Sequence, residues 1–196
     1  MAIAINGSSN TITGLAVGGL PNGIVDTDML ADDAVTQPKI GSKTFTSYAI
    51  ICDQKSSTTD GGVFSDGAWR TRDLNTEVSD EDGIVSISSN QFTLQAGSYL
   101  IEASAPAYNI NRHLIKLYQT SGTPADIAFG TSAFCSQTYN GYTESRLFTR
   151  VTIGSATTYE IRHKCQSTSS STAGFGIAHD FGNVEIYTVV KIFKEA

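Results

Sequence analysis

The side chains in this sequence that could do chemistry are three histidines, three cysteines and one dense run of carboxylates. His113, His163 and His179 lie far apart in the chain, without the short spacings by which zinc sites gather ligands. Cys52, Cys135 and Cys165 form no Cys-x-x-Cys pair, and an odd, scattered set reads as buried, reduced thiols. Asp80-Glu81-Asp82-Gly83 lacks the ligand spacing of an EF-hand loop and reads as a turn of solvated carboxylates. Neither a Gly-x-Ser-x-Gly elbow nor a phosphate-cradling Gly-x-x-x-x-Gly-Lys occurs. His179-Asp180 and the serines from Ser167 to Ser171 have the right types for a hydrolytic trio, but no activated nucleophile can be named among them. The expectation is a protein that is not an enzyme, with no catalytic residue, no metal and no cofactor.

Recognition chemistry is better represented. Tyr108-Asn109-Ile110-Asn111-Arg112 and Gln137-Thr138-Tyr139-Asn140-Gly141-Tyr142 mix aromatic rings with amides. Tyrosine offers contact area at low entropy loss, asparagine offers adaptable hydrogen bonds, and sugar rings stack on aromatic faces. The candidate receptor-binding residues are therefore Tyr108, Asn109, Asn111, Arg112, Tyr139, Asn140 and Tyr142. The competing explanation is that Tyr and Asn simply populate loop tips.

The elements that must position these loops are strands. From Thr44 onward the apolar period is two, broken at short intervals by turn residues. Strands are expected at 47–53, 68–75, 83–88, 91–96, 98–105, 113–119, 127–134, 144–153, 157–166 and 183–193. With no helical pattern longer than two turns, this predicts an all-β sandwich or barrel. In the strand ending at Cys165, Tyr159, Ile161, His163 and Cys165 share one face, so His163 is expected to be packed rather than catalytic. In the last strand Val184, Ile186, Thr188, Val190 and Ile192 form one apolar face, while Tyr187, Val189 and Phe193 make the other partly apolar. A strand apolar on both faces must be covered twice, here by the opposite sheet and by a neighbouring subunit.

Residues 1–43 read differently from residues 44–196. The first 41 hold one basic residue, Lys39, and no aromatic ring, so they cannot build a core. Asp26 or Thr27 could cap a helical turn or two, which Pro38 would end. The isolated apolar points Ile3, Ile5, Ile12, Leu15, Val17, Met29 and Leu30 make sense if other chains or a larger body cover them, and they are the candidate anchoring residues. A disordered tail is the alternative. The chain has 13 basic and 19 acidic residues, a net charge of −6, and no basic stripe, which argues against nucleic acid as a partner. No apolar run is long enough to insert in a membrane, and the opening residues lack the pattern of a signal peptide, so synthesis in a cytoplasm is expected.

Three stretches carry a resemblance. They are Phe92-Thr93-Leu94-Gln95-Ala96-Gly97-Ser98-Tyr99-Leu100-Ile101, His113-Leu114-Ile115-Lys116-Leu117-Tyr118, and Gly174-Phe175-Gly176 with the final strand. Their order resembles the trimeric jelly-roll superfamily of complement heads and tumour-necrosis factors. Trp69 to Asn75, Ala103 to Tyr108 and Glu160 to Cys165 look like blocks of bacteriophage fibre proteins of that fold. Ala34-Val35-Thr36-Gln37-Pro38-Lys39-Ile40 is similar to linkers that precede knobs in phage tail fibres, present here in a single copy. The resemblance implies an antiparallel jelly-roll knob that forms a homotrimer. It also implies a place in a virion: residues 1–43 mount the knob on other virion proteins by a short stalk, and the knob meets a host surface glycan or protein. The alternative it leaves is a capsid decoration or cement protein that binds no host. A polysaccharide-cleaving spike is a third reading, and the chain shows no solenoid repeat to support it.

Overall fold

The computed structural model describes residues 45–169 and 171–196 in full, and the backbone of Ala4–Asn6 and Thr11–Thr13. The chain divides into two units, Met1–Ser42 and Lys43–Ala196, each taken by itself below. In the first unit β1 (Ala4–Asn6) and β2 (Thr11–Thr13) pair as an antiparallel ribbon with Ile5 opposite Ile12. Ile3, Leu15, Val17, Met29 and Leu30, the candidate cap at Asp26 or Thr27 and the break at Pro38 lie outside the described residues.

The second unit is the expected antiparallel jelly-roll sandwich. Its strands are β3 (Phe45–Lys55), β4 (Arg70–Thr71), β5 (Thr76–Ser79), β6 (Val85–Ser88), β7 (Gln91–Leu94) and β8 (Gly97–Tyr108), then β9 (Asn111–Gln119), β10 (Ala125–Phe129), β11 (Ala133–Cys135), β12 (Tyr142–Ile153), β13 (Thr157–Cys165) and β14 (Glu185–Glu195). A five-stranded sheet has the order β12-β8-β14-β3-β5. A seven-stranded sheet has the order β10-β9-β13-β7-β6, with β11 also on β9 and β4 on β13. Alternation turns Ile51, Tyr99, Ile101, Leu147, Val190 and Ile192 of the first sheet onto Phe92, Leu94, Ile115, Leu117, Tyr159 and Ile161 of the second. Each such side chain contributes about 1.5–3 kcal/mol on burial, and this layer is the main core. A second cluster of Phe64, Ala107, Ile110, Cys135 and Cys165 lies under the loops at one end. All three cysteines are buried and free, as expected from their spacing.

Three expected strands are drawn differently. The strand at 68–75 is only Arg70–Thr71, because Arg72 turns into the interior and the chain crosses to the five-stranded sheet, where β5 pairs with β3. The strand at 127–134 breaks at Gly130: a Cβ there would meet Ile115 Cγ1 at 2.7 Å and Arg146 O at 2.8 Å, so the chain dips against β9 before resuming as β11. In β14 a bulge between Ile186 and Val189 switches the faces. Val190 and Ile192 reach the core as expected, but Val184 and Ile186 are exposed while Tyr187 is buried. The Asp80 turn is also more than solvated carboxylates, since the Asp80 side chain accepts bonds from Ile84 N (2.8 Å) and Val85 N (2.9 Å).

Candidate binding surface

Phe45 pairs with Glu195, so the strand ends near them mark one end of the sandwich, and the loops opposite form the other. Four loops meet at that opposite end: the β8–β9 turn, the β11–β12 loop, the β13–β14 loop and the β3–β4 loop. The first two carry or border the candidate residues read from sequence. The fourth, running from Ser56 to Trp69, was not expected there, although its Gly61-Gly62 pair is a turn signal.

Asn109 and Asn111 adopt φ values of 62° each, a left-handed conformation that asparagine tolerates better than most residues. Between them Ile110 is driven into the small core. The Asn111 amide then donates to Ser167 Oγ (3.0 Å) and Gln137 Oε1 (3.3 Å), and its carbonyl oxygen accepts from Gln137 N (3.3 Å). Asn109 N donates to Gly141 O at 3.0 Å. Both asparagines are thus used to build the end and lace its loops together. The groups left to a partner are Tyr139, 85% exposed, with Asn140 on the same loop. Arg112 lies on β9, on the outer side of the seven-stranded sheet, and Tyr142 opens β12 opposite Tyr108 on the other sheet. The seven candidates therefore fall on three faces of one end.

A buried polar network docks these loops on the strands. The Arg72 guanidinium, fully enclosed, donates to Thr188 Oγ1 (2.7 Å), Phe175 O (2.9 Å) and Pro106 O (3.4 Å), and its centre lies 4.3 Å from the Phe175 ring centroid. Phe175 stacks on Phe64 at 4.3 Å, and Phe64 touches the His163 ring at 4.6 Å. The glycines of Gly174-Phe175-Gly176 make this approach possible. A Cβ on Gly174 would meet Phe64 N at 2.6 Å, and one on Gly176 would enter the Tyr187 ring. Burial pushes Arg72 down to about 10, which leaves it charged at neutral pH.

His113 and His163, on neighbouring strands, share one hydrogen bond of 2.9 Å between Nδ1 and Nε2, and His113 Nε2 meets Thr143 Oγ1 at 2.8 Å. Burial lowers both, His113 to about 4 and His163 well below its ordinary value, and the positive Arg72 pushes the same way. His163 is packed, as its place on the inner face predicted. His179 is taken by Glu185, whose buried carboxylate accepts from the amides of Thr58 (3.2 Å), His179 (3.2 Å) and Asp180 (3.3 Å) and from the His179 ring. Burial alone would raise Glu185, but those bonds outweigh it and hold the carboxyl below its usual range. The pair ties the β13–β14 loop to its strand instead of forming a trio with serine. Among the described residues no three His, Cys, Asp or Glu side chains converge on a metal-sized site.

The outer face of the five-stranded sheet is a second feature. Register places Tyr48, Phe193, Leu100 and Arg150 in one cross-strand row, and Ile50, Lys191, Glu102 and Phe148 in the next. Tyr48 is half exposed and Phe148 is 68% exposed. Toward the loop end this face continues into a groove lined by Tyr142, Ile177, Val184 and Ile186. Charged side chains share these rows, Arg150 in the first and the Lys191–Glu102 pair (3.4 Å) in the second.

The fold has solved counterparts. Murine APRIL is similar with a TM-score of 0.51 at 9% identity, over 76% of this chain and 98% of that one. Eiger TNF from S. frugiperda is similar with a TM-score of 0.50 at 9% identity, over 79% of this chain and 94% of that one. The globular domain of zebrafish complement 1qA protein shares 15% identity over 75% of this chain and 95% of that one, with a TM-score of 0.49. At these identities the likeness to murine APRIL and Eiger TNF shows the fold alone, an antiparallel jelly roll. No family model and no curated protein matches the sequence.

Proposed function

We propose that this chain is a non-enzymatic structural protein of a virus particle, a homotrimeric knob mounted by its N-terminal segment and presenting its far end to a host surface. The observation that carries the trimer is the set of apolar side chains Tyr48, Leu100, Phe193 and Phe148 on the outer face of the five-stranded sheet, with Tyr48 and Phe148 exposed. Three copies around one axis would cover that face and repeat every end loop three times, so that weak single contacts gain through avidity. The likeness of residues 34–40 to phage knob linkers supports the virion setting, with synthesis in the host cytoplasm. The ribbon of β1 and β2 fits a mount, since a two-stranded hairpin alone is at best marginally stable in water.

Sedimentation of the purified protein is expected to give a trimer, and Tyr48→Glu with Phe148→Glu is expected to give monomers that keep the β-sheet circular dichroism. A wild-type monomer at micromolar concentration would overturn the assembly. For the setting, antibody to residues 44–196 should label intact particles, and the purified knob should bind host cells. Protein that ignores cells and rebinds stripped capsids would instead identify a decoration or cement protein.

A further inference from the structure

Most described lysines and arginines are engaged by carboxylates or carbonyl oxygens, for example Lys116 by Asp126, Arg150 by Glu195 and Arg162 by Glu160. The side chains of Arg112, Lys164 and Lys194 have no hydrogen-bond or ion-pair partner among the described residues. Two of these three, Arg112 and Lys164, line one depression of about 300 Å³ on the outer side of the seven-stranded sheet. In a chain of net charge −6, two free cations facing one hollow are a specific arrangement.

The strand register explains how the hollow forms. Phe134 on β11 is opposite Arg112 on β9, whose carbonyl accepts from Gln166 N at 2.8 Å. One row further along, Leu114 of β9 is opposite Lys164 of β13. The small side chains of Ser132 and Ala133 complete the lining beside Leu114. Phe134, 57% exposed, stands on the Arg112 side. On the Lys164 side stands Trp69, with its ring centroid 6.0 Å from Lys164 Nζ. Trp69 is packed with Lys116 Nζ over its ring at 4.2 Å and with the tilted ring of Phe129 at 6.1 Å. Arg112 and Lys164 belong to the lining of the hollow, and the two rings stand outside that lining as their neighbours, Phe134 across from Arg112 and Trp69 beyond Lys164.

That combination selects a ligand. The cations call for an anion, and guanidinium favours a carboxylate geometrically. The rings call for a flat apolar face, which a pyranose offers through its C–H groups. The volume is at the lower end for small-molecule sites and suits a single sugar unit. A nucleic acid would need a longer basic stripe than two side chains. The opposite sheet carries the face assigned to trimer contacts, so this hollow stays open on the flank of an assembled knob.

We propose that this depression binds an acidic sugar unit, with Arg112 and Lys164 taking its carboxylate and the rings of Phe134 and Trp69 flanking the pyranose. The biological use of such a site rests on the host-attachment reading above. It moves the principal contact from the tyrosines of the end loops to the flank of the seven-stranded sheet.

Titration of the full-length protein with methyl β-glucuronide, followed by NMR or calorimetry, is expected to show saturable binding. Methyl β-glucoside should bind at least roughly tenfold more weakly, as should the protein carrying Arg112→Gln and Lys164→Gln, since a charge-assisted bond is worth about 1.5–3 kcal/mol. Neither side chain bonds to the described protein, so the double variant should keep the wild-type melting temperature. Phe134→Ala should weaken binding several-fold without abolishing it. Equal binding of the glucoside, equal binding of glucose 6-phosphate, or full binding by the double variant would each overturn the assignment. Wild-type knob that binds host cells but not glucuronide would remove the acidic-sugar site and leave host attachment standing. Saturable glucuronide binding by a knob that ignores cells would keep the site and remove host attachment.

Discussion

Arg72→Met is expected to lower the unfolding free energy by about 3–5 kcal/mol, one of the largest losses available to a single substitution in this chain. Methionine fills much of the volume, so packing is not the main loss. The loss comes from Phe175 O and Pro106 O, left buried without a donor, together with the Thr188 hydroxyl. A buried acceptor without a partner costs about 1–3 kcal/mol. Because those acceptors belong to the β13–β14 loop, β8 and β14, the damage should concentrate at the loop end. Amide exchange should rise first around Gly174, Phe175 and Gly176. Urea denaturation measures the global effect, with Arg146→Met on the surface as the control at about 0.5 kcal/mol or less. A loss under about 1 kcal/mol for Arg72→Met would mean that the network does not hold the end together.

Acid should loosen the same region before it unfolds the sandwich. In the unfolded chain His113 and His163 protonate near their ordinary value of about 6.5, whereas in the fold burial and Arg72 keep them neutral, His113 down to about 4. The unfolded chain therefore binds more protons below about pH 6.5. The contribution of the neutral pair is fully present above that point and is lost progressively as pH falls toward 4. For His113 the gap amounts to about 3 kcal/mol, and His163 adds in the same direction. Protonation would also remove the acceptor from the His113–His163 bond and set further positive charge beside Arg72.

Glu185 and Glu195 are held low in the fold, so their contributions are lost only at more acid pH. Asp53, raised by burial, takes up its proton more readily in the fold than in the unfolded chain and so opposes the loss. That leaves the histidines to account for any fall in stability between about pH 6.5 and 4.5. Urea midpoints across that interval should fall steeply for the wild type. His113→Gln with His163→Gln should flatten the dependence. A wild-type stability that is unchanged between those pH values would refute the buried-histidine account.

Much of the sandwich was legible because strand period is a local property. Tyr159, Ile161 and His163 announce an inner face by alternation alone, and the structure buries all three. Long-range events were not legible. Arg72 sits among residues that alternate acceptably, and only the arrival of Pro106, Phe175 and Thr188 from distant segments makes its burial possible. The break at Gly130 depends on Ile115 and Arg146, neither of which is near it in sequence. Asn109 and Asn111 were read by their side-chain chemistry, while the structure uses their backbone tolerance to close a turn. The hollow between Arg112 and Lys164 joins residues about fifty positions apart, and it becomes visible only when β9 and β13 are in register.

The β11–β12 loop closes on itself, with Gly141 N donating to Ser136 O at 2.8 Å and Ser136 Oγ accepting from the amides of Thr138 and Tyr139. A loop whose two ends are already clasped isolates the scaffold from whatever is spliced into its crest. Peptide inserted between Tyr139 and Asn140 should be carried at the end of the knob with little loss of stability, because lengthening a closed loop changes its entropy only logarithmically. The same clasp makes this the position at which the knob could be given a new epitope or a new specificity without redesigning the sandwich beneath it.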